Sequence, residues 1–377
     1  MNPVNIKAVA RKEFYHLIRD FRSLYLAFII PLLLILVFGY ALSLDLNDVE
    51  IAVVDHDKTT LTGDFIRKLD ASPYFKISYY LEDKNKAVRY LDQAEIMMAI
   101  IFPSGWTSNI EADRETPLQI LIDGSDPNFA GLSRGYITGF VEEYNQKRLI
   151  DFLNRNGQAK IKFPVDARIR VWFNEDLESR NFIVPGIIAI IIMVVGALLT
   201  SLVIAREYEN GTMETIKSLP IKREEFLLGK AIPYFFIGLI DVLVAVLMGQ
   251  ILFGVIIKSN FWLLILASTI YLWVALSLGL LISVVTKSQL VANQVAILTT
   301  FLPSFLLSNY VFPVINMPRI LQIITYIVPA RYFIDIMNGL YLRRLGLHHL
   351  WPSYLILLIM FFILANMARM VLKRDGV

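Results

Sequence analysis

Six long apolar runs, separated by polar segments, dominate the chain. Because a helix of about 20 apolar residues crosses the hydrocarbon core of a bilayer, each run predicts one membrane span. The pattern therefore predicts a polytopic α-helical membrane protein, with a first span followed by a five-span membrane domain over 181–372. The runs cover residues 24–44, 182–205, 231–257, 261–285, 288–310 and 352–370.

The stretch before the first run, residues 1–23, has the pattern of an amphipathic helix. Ile6, Val9, Phe14 and Leu17 recur at helical spacing, and several of the intervening positions are lysine or arginine. A helix with one apolar and one basic side lies in the membrane interface. The other interpretation is that these residues are only the basic flank of the first span.

Residues 45–180 contain no run long enough to cross a membrane, and strand-like and helix-like patterns alternate along them. This alternation predicts a small α/β domain inserted between the first two spans. Asp126 and Pro127 are suited to the start of its last helix. The expected strands are 49–55, 75–81, 96–102, 118–122 and 168–173, and the expected helices are 61–69, 84–94, 106–114 and 127–156.

Two acidic clusters follow apolar strands of this domain, at Asp55-His56-Asp57 and from Asp123 to Asp126. Either cluster could be a catalytic or metal site. Aspartate is also common in turns, because its side chain bonds to the backbone two residues on. We therefore expect no catalytic residue and no metal ligand in this chain.

A strongly polar segment over 206–230 separates the second and third spans. Asn210-Gly211 is suited to ending one helix, and Thr212 is suited to capping a new short one. The result would be a helical hairpin just below the bilayer that could dock on a soluble partner, although an ordinary solvated connector fits the pattern too. The basic residues that place it in the cytoplasm are Arg206, Lys217, Lys222, Arg223 and Lys230.

The segment 311–350 is moderately apolar but is broken by three prolines and carries four arginines. Counting spans places this segment on the extracytoplasmic side, whereas its arginines favour the cytoplasmic side. A re-entrant helical segment before the last span resolves the conflict, because broken backbone at membrane depth must be covered by protein. The alternative is an extra span over about 320–337, which would move the carboxyl terminus outside.

Basic clusters decide the expected orientation. Those at 7–22, 206–230 and 369–374 place both termini in the cytoplasm. Long domains cross a membrane regardless of their own charges, so the α/β domain is expected to be extracytoplasmic.

Three polar residues within the predicted spans are candidates for a translocation path. Asp241 lies roughly 16 Å beyond Lys230 at 1.5 Å per residue, near the bilayer centre, where a carboxylate is costly and is a functional candidate. A hydrogen-bonded carboxyl at a helix interface is the alternative. Asn293 and Gln294 could line the path or form interhelical hydrogen bonds.

The composition agrees with a membrane protein and excludes several kinds of chemistry. Hydrophobic residues make up 56% of the chain, and a net charge of +3 gives no indication of a nucleic-acid partner. The absence of cysteine excludes disulfides, zinc–thiolate sites and thiol catalysis. The adjacent His348 and His349 do not complete a metal site by themselves.

Three motifs resemble those of ABC type-2 exporter permeases, in the drug-exporter branch with a large extracytoplasmic domain. The first, R-E-x-E-x-G-T-M-E, comprises Arg206, Glu207, Glu209, Gly211, Thr212 and Glu214 and is similar to the region that couples to the ATPase. The second is Lys12-Glu13 with Arg19-Asp20, in what would be the connecting helix at the ATPase. The third, Pro329-Ala330-Arg331-Tyr332-Phe333, lies where the family has its outer gate.

The resemblance implies the membrane subunit of an ATP-driven exporter of drugs or other amphiphilic or lipidic compounds, in the inner membrane. It implies a second permease, identical or different. No G-x-x-x-x-G-K-[ST] motif is present to hold nucleotide phosphates, so ATP and Mg²⁺ would bind a separate ATPase and this chain would be neither an enzyme nor a cofactor carrier. The alternatives are a secondary, ion-coupled exporter that uses Asp241 and a membrane-anchored receptor or assembly factor.

Overall fold

The structure is a computed structural model that describes residues 1–19, 21–41, 49–112, 114–125, 127–155, 173–174 and 178–376. The chain divides into two compact units. The helical unit comprises Met1–Ser43 and Arg170–Val377, and the sheet unit comprises Leu44–Ile169.

Two helices open the helical unit. Helix α1 (Pro3–Arg19) buries Val9, Glu13 and Leu17, which recur every four residues on one side. Its other side leaves apolar and basic residues exposed, so the predicted helix is present and its interfacial position stays a prediction. Helix α2 (Phe21–Ala41) is apolar and contains a proline.

The sheet unit is a four-stranded sheet with helices between its strands. The strand order is β2-β1-β3-β4, in which β1 pairs in parallel with β2 and β3, and β4 pairs antiparallel with β3. Its elements are β1 (Val49–Asp55), α3 (Thr60–Asp70), β2 (Phe75–Leu81), α4 (Lys84–Asp92), β3 (Met98–Phe102), α5 (Trp106–Glu111), β4 (Gln119–Ile122) and α6 (Pro127–Arg155).

The central strands β1 and β3 are apolar on both faces because each face is covered. One face packs around Phe65, whose ring makes edge contacts with Phe102, Trp106 and Phe140. Four predicted strands and four predicted helices are therefore present at their expected places. Of the fifth predicted strand, over 168–173, only Phe173 is described, and the proposed cap Asp126 lies outside the described residues.

The rest of the helical unit is α7 (Arg180–Glu209), α8 (Thr212–Ser218), α9 (Arg223–Phe253), α10 (Phe261–Thr286), α11 (Gln289–Leu306), α12 (Arg319–Ile324), α13 (Pro329–Tyr341) and α14 (Leu347–Arg374). Five of the described helices, α7, α9, α10, α11 and α14, are long and apolar enough to cross a membrane. Helix α2 adds a shorter described apolar stretch, Phe28–Tyr40. The chain is thus a polytopic helical protein.

Helix α7 is the centre of the helical unit. Of its most apolar 18-residue window, 89% is buried, and it packs against α2, α9, α10, α11 and α13. Small residues allow the closest approach: a Cβ added at Gly279 of α10 would lie 2.4 Å from the carbonyl oxygen of Ala197. The Thr200 hydroxyl also donates to the Leu276 carbonyl at 3.0 Å, which joins α7 to α10.

The segment before the last helix is bent. Helices α12 and α13 meet at 84°, with a short 3₁₀ turn, Thr325–Ile327, between them. Pro329 occupies the first turn of α13, a position where its missing N–H costs nothing. A straight helix over 320–337 is therefore absent from the described residues, and the bent pair is either one broken span or a re-entrant segment.

Candidate functional site

The polar segment 206–230 forms a helical hairpin, made of the end of α7, the short helix α8 and the start of α9. The predicted break at Asn210-Gly211 is confirmed, because α7 ends at Glu209 and Gly211 has a left-handed φ of 70°. The predicted cap is wrong: Gly211 occupies the capping position, and the Thr212 hydroxyl donates to the Glu207 carboxylate. Thr212 lies one residue too far into the helix to cap it.

A buried ionic cluster lies beneath this hairpin. Lys230 at the start of α9 donates to the Glu13 carboxylate of α1 at 2.6 Å and to the Glu207 carboxylate of α7 at 2.5 Å. The three residues are 1%, 0% and 5% exposed, respectively. We call Lys12, Glu13, Arg206, Glu207, Lys230 and Tyr234 the ionic cluster.

The other members complete the hydrogen bonds of the two carboxylates. Arg206 and the Tyr234 hydroxyl donate to Glu13 Oε1 at 2.9 and 3.0 Å. Lys12 donates to Glu207 Oε1 at 2.9 Å from a half-exposed position. Buried charges persist only when paired and hydrogen-bonded, and both carboxylates meet that condition.

The ionic cluster joins three helices at one end of the helical unit. Its carboxylates belong to α1 and α7, and its central ammonium belongs to α9. The backbones of α1 and α9 also approach closely, since a Cβ added at Gly229 would lie 2.6 Å from Val9 Cβ. A displacement of the hairpin would therefore move α1 and the start of α9 with it.

The remaining acidic residues of the motif point outward. Glu214 on α8 is exposed and pairs with Lys217 at 2.8 Å across one helical turn. Glu209 is exposed and accepts from the backbone and side-chain nitrogens of Gln289, at 2.8 and 2.5 Å. Met213, only 1% exposed, anchors α8 from below. The hairpin thus presents an acidic, polar outer face on a rigid base.

The second motif is divided in the same way. Lys12 and Glu13 belong to the ionic cluster, whereas Arg19 is exposed at the end of α1. Asp20 lies outside the described residues.

A second set of polar contacts between helices, in addition to the ionic cluster, is not evident from the sequence. Asp375, just after α14, accepts from the Tyr208 hydroxyl at 2.7 Å and pairs with Lys287 at 2.8 Å. The Lys287 ammonium also lies 5.0 Å from the centre of the Tyr208 ring. Lys287 has a left-handed backbone conformation in the turn between α10 and α11. These contacts therefore join α7, the α10–α11 turn and the end of α14.

The structure does not bring the candidate translocation residues together. Asp241 is 6% exposed within α9, and its Oδ2 has no hydrogen-bond partner among the described residues. Asn293 and Gln294 are exposed on α11.

The third motif holds the bend between α12 and α13. The Arg331 guanidinium lies 4.2 Å from the centre of the Tyr326 ring and donates to the Thr325 hydroxyl. The Tyr332 hydroxyl donates to the Tyr326 carbonyl at 3.0 Å. With Pro329 at the start of α13, these contacts fix the corner.

The acidic clusters of the sheet unit stabilise turns by accepting hydrogen bonds from the backbone. Asp57 accepts from the backbone nitrogens of Gly105 and Thr107 at 2.8 and 2.9 Å, and hydrogen bonding to Thr107 holds the pKa of Asp57 below its usual value. Asp123 accepts from the backbone and hydroxyl of Ser125. Within the part of the chain that the structure describes, no group of three potential metal ligands occurs.

Comparison with known proteins decides the family. The model of the ABC-2 family transporter proteins matches residues 21–368. The chain belongs to the ABC-2 transporter family. It is similar to the probable multidrug ABC transporter permease YbhS of Escherichia coli K12, with 35% identity over 90% of each chain.

Two further relatives are more distant. The probable multidrug ABC transporter permease YbhR of Escherichia coli K12 is 26% identical over 91% of each chain. ABC transporter G family member 23 of Dictyostelium discoideum is 24% identical over 87% of this chain and 46% of that protein. The chain is thus a membrane subunit of an ABC exporter, as its motifs predicted.

Proposed function

We propose that this permease receives the force of ATP hydrolysis from a separate ABC ATPase through the outer face of α8. The observation that carries the proposal is the contrast within one motif: Glu207 is buried in the ionic cluster, whereas Glu214 is exposed on α8. A docking element needs an accessible contact surface and a rigid connection to the spans, and the hairpin has both. ATP and Mg²⁺ bind the partner ATPase, and this chain is a transport subunit without catalysis of its own.

The spans are α2, α7, α9, α10, α11 and α14. The protein lies in the inner membrane, with both termini in the cytoplasm. The basic residues of α1, the hairpin and the end of α14 support this orientation. In it, the sheet unit is the extracytoplasmic domain. The bent pair α12–α13 is a re-entrant segment that enters from outside, and Pro329, Arg331 and Tyr332 form the corner of an outer gate.

A second permease, identical or different, completes the transport path. Its support is the surface of α11, of which only 22% of the most apolar window is buried in this chain. Asn293 and Gln294 lie exposed there, and amide side chains are poorly accommodated by lipid. A partner permease or a shared path would cover them.

The cargo is a drug or another amphiphilic or lipidic compound. The support is the word multidrug in the descriptions of YbhS and YbhR. Family membership favours ATP-driven export over the ion-coupled and receptor alternatives.

The coupling proposal is tested with a charge reversal at Glu214. We expect Glu214→Lys to keep the folding yield of the unaltered protein, because the side chain is exposed, and to lower co-elution with the ATPase about tenfold or more. A tenfold loss corresponds to about 1.4 kcal/mol, which is within the range for one charged interface contact.

The matched control is Glu142→Lys, the same change at an exposed position of α6 in the sheet unit. Co-elution with a candidate ABC ATPase and its ATP hydrolysis are measured for both variants. Equal retention of the ATPase by the two variants would exclude α8 as the docking surface.

A further inference from the structure

An apolar groove runs along the helical unit between α9, α10 and α14. Its volume is about 270 Å³. Aliphatic and aromatic side chains from all three helices line it, among them Leu228, Trp273, Phe361 and Ala365. None of the site residues described above lies in it.

One end of the groove is polar and cationic. Lys222, Arg223 and Arg369 surround a neighbouring depression, together with the single carboxylate of Glu224. Glu224 and Arg369 line both cavities and pair at 2.6 Å, so the two are continuous. Three cations against one carboxylate leave a net charge of +2 at this end.

One nitrogen of this cationic group has no partner among the residues that the structure describes. Arg223 Nε is buried and has no hydrogen-bond partner among the described residues. A buried guanidinium nitrogen without an acceptor is costly, so an acceptor from outside the chain would be favoured there.

The dimensions fit a molecule with an anionic head and an apolar tail. Arg369 and Phe361 are eight residues apart on α14, which places them about 12 Å apart along the helix axis. The cationic end lies at the start of α9 and near the end of α14, whereas Trp273 and Phe361 lie deeper along the helices. An apolar chain entering from the cationic end would therefore run parallel to the spans.

We infer that this groove binds an anionic phospholipid, with the phosphate against Lys222, Arg223 and Arg369 and one acyl chain along Trp273 and Phe361. Arginine and lysine at the ends of spans attract anionic lipid headgroups, which supports this occupant over a neutral one. The assignment to the cytoplasmic leaflet rests on the proposed orientation of the permease, whereas binding itself does not.

Trp273 provides the readout. The purified full-length permease in neutral detergent, without the ATPase, is titrated with phosphatidylglycerol whose chains carry bromine, which quenches tryptophan on contact. We expect quenching with a saturable part that is lost in Trp273→Phe, whereas quenching of the exposed Trp262 and Trp351 should remain. Phosphatidylcholine with the same chains should require at least about tenfold higher concentration for half-saturation.

Two variants separate the head from the tail. The triple variant Lys222→Gln/Arg223→Gln/Arg369→Gln should weaken the binding of phosphatidylglycerol about tenfold. The protein should then bind phosphatidylglycerol no more tightly than phosphatidylcholine. Ala365→Phe should fill the groove and weaken both lipids. The control Lys373→Gln/Arg374→Gln removes two exposed cations from the same end of α14. Its concentration of phosphatidylglycerol for half-saturation should stay within about twofold of that of the unaltered protein. Each variant is first checked for a monodisperse elution profile.

Three results would overturn the inference. The first is equal quenching by the two lipids, which indicates ordinary lipid contact only. The second is complete competition by millimolar inorganic phosphate, which indicates an anion site without a tail. The third is a bound polypeptide and no phospholipid in native mass spectrometry. Because no ATPase is present, failure here would leave the proposed export function unaffected.

Discussion

The ionic cluster makes a strong prediction about Lys230. Replacing it with methionine keeps the length of the side chain but leaves Glu13 and Glu207 without their shared ammonium. The lost contacts measure 2.6 and 2.5 Å and are almost completely buried. At an effective dielectric constant of about 20, each corresponds to a Coulomb energy of about 6 kcal/mol before desolvation is subtracted.

The net effect is smaller because both carboxylates keep other donors. Arg206 still pairs with Glu13, and Lys12 still pairs with Glu207. Removing one partner of a buried ion pair costs about 3–5 kcal/mol, and we expect Lys230→Met to lower the free energy of unfolding by about that amount. The double variant Lys230→Met/Glu207→Gln should recover part of the loss, because one uncompensated charge is then removed.

The assay is unfolding of the detergent-solubilised permease by a denaturing detergent, followed by circular dichroism. The control is Lys217→Met, which breaks the exposed pair with Glu214 and should cost less than about 1 kcal/mol. If the free energies of unfolding of Lys230→Met and Lys217→Met differ by less than about 1 kcal/mol, the ionic cluster does not stabilise the helical unit.

Three further predictions concern the spans. Asp241→Asn should lower transport more than folding yield, because the residue is buried and one oxygen is unpartnered; equal transport per folded molecule would make it structural. Cysteine placed singly at the exposed position 86 of the sheet unit, at 217 and at 375 should react with an impermeant reagent from outside only at 86, and labelling of 217 from outside would refute the orientation. Gly279→Ala should cost about 1–3 kcal/mol through overpacking against Ala197, measured beside the uncrowded Gly346→Ala.

The spans and strands could be predicted from the sequence because each has a strong local signal. Apolar length predicted the long helices, and alternation with turn residues predicted four of the strands. Local signals were weaker at junctions. Thr212 satisfies the residue preference for a cap, yet the left-handed Gly211 occupies that position and frees the hydroxyl to reach Glu207.

The ionic cluster could not be predicted because its partners are far apart in the sequence. Glu13 and Lys230 are separated by 217 positions, and nothing local shows that they meet. In the sequence, Lys230 is only one of several basic residues that favour the cytoplasmic side. A usable signal was its place at the start of a long apolar run, where a buried lysine requires a carboxylate from another helix.

The position of the cluster also changes what a charge reversal in the hairpin would mean. From the sequence, Glu207 and Glu214 are equivalent members of one motif, and reversing either would be expected to uncouple a folded permease. Glu207 is 5% exposed and accepts from two lysines, so reversing its charge would place three buried or half-buried ammonium groups together. We therefore expect Glu207→Lys to fail at folding and Glu214→Lys at docking. The motif combines two physical tasks within eight residues: one acid fixes the hairpin to the spans, and the other is free to meet a partner.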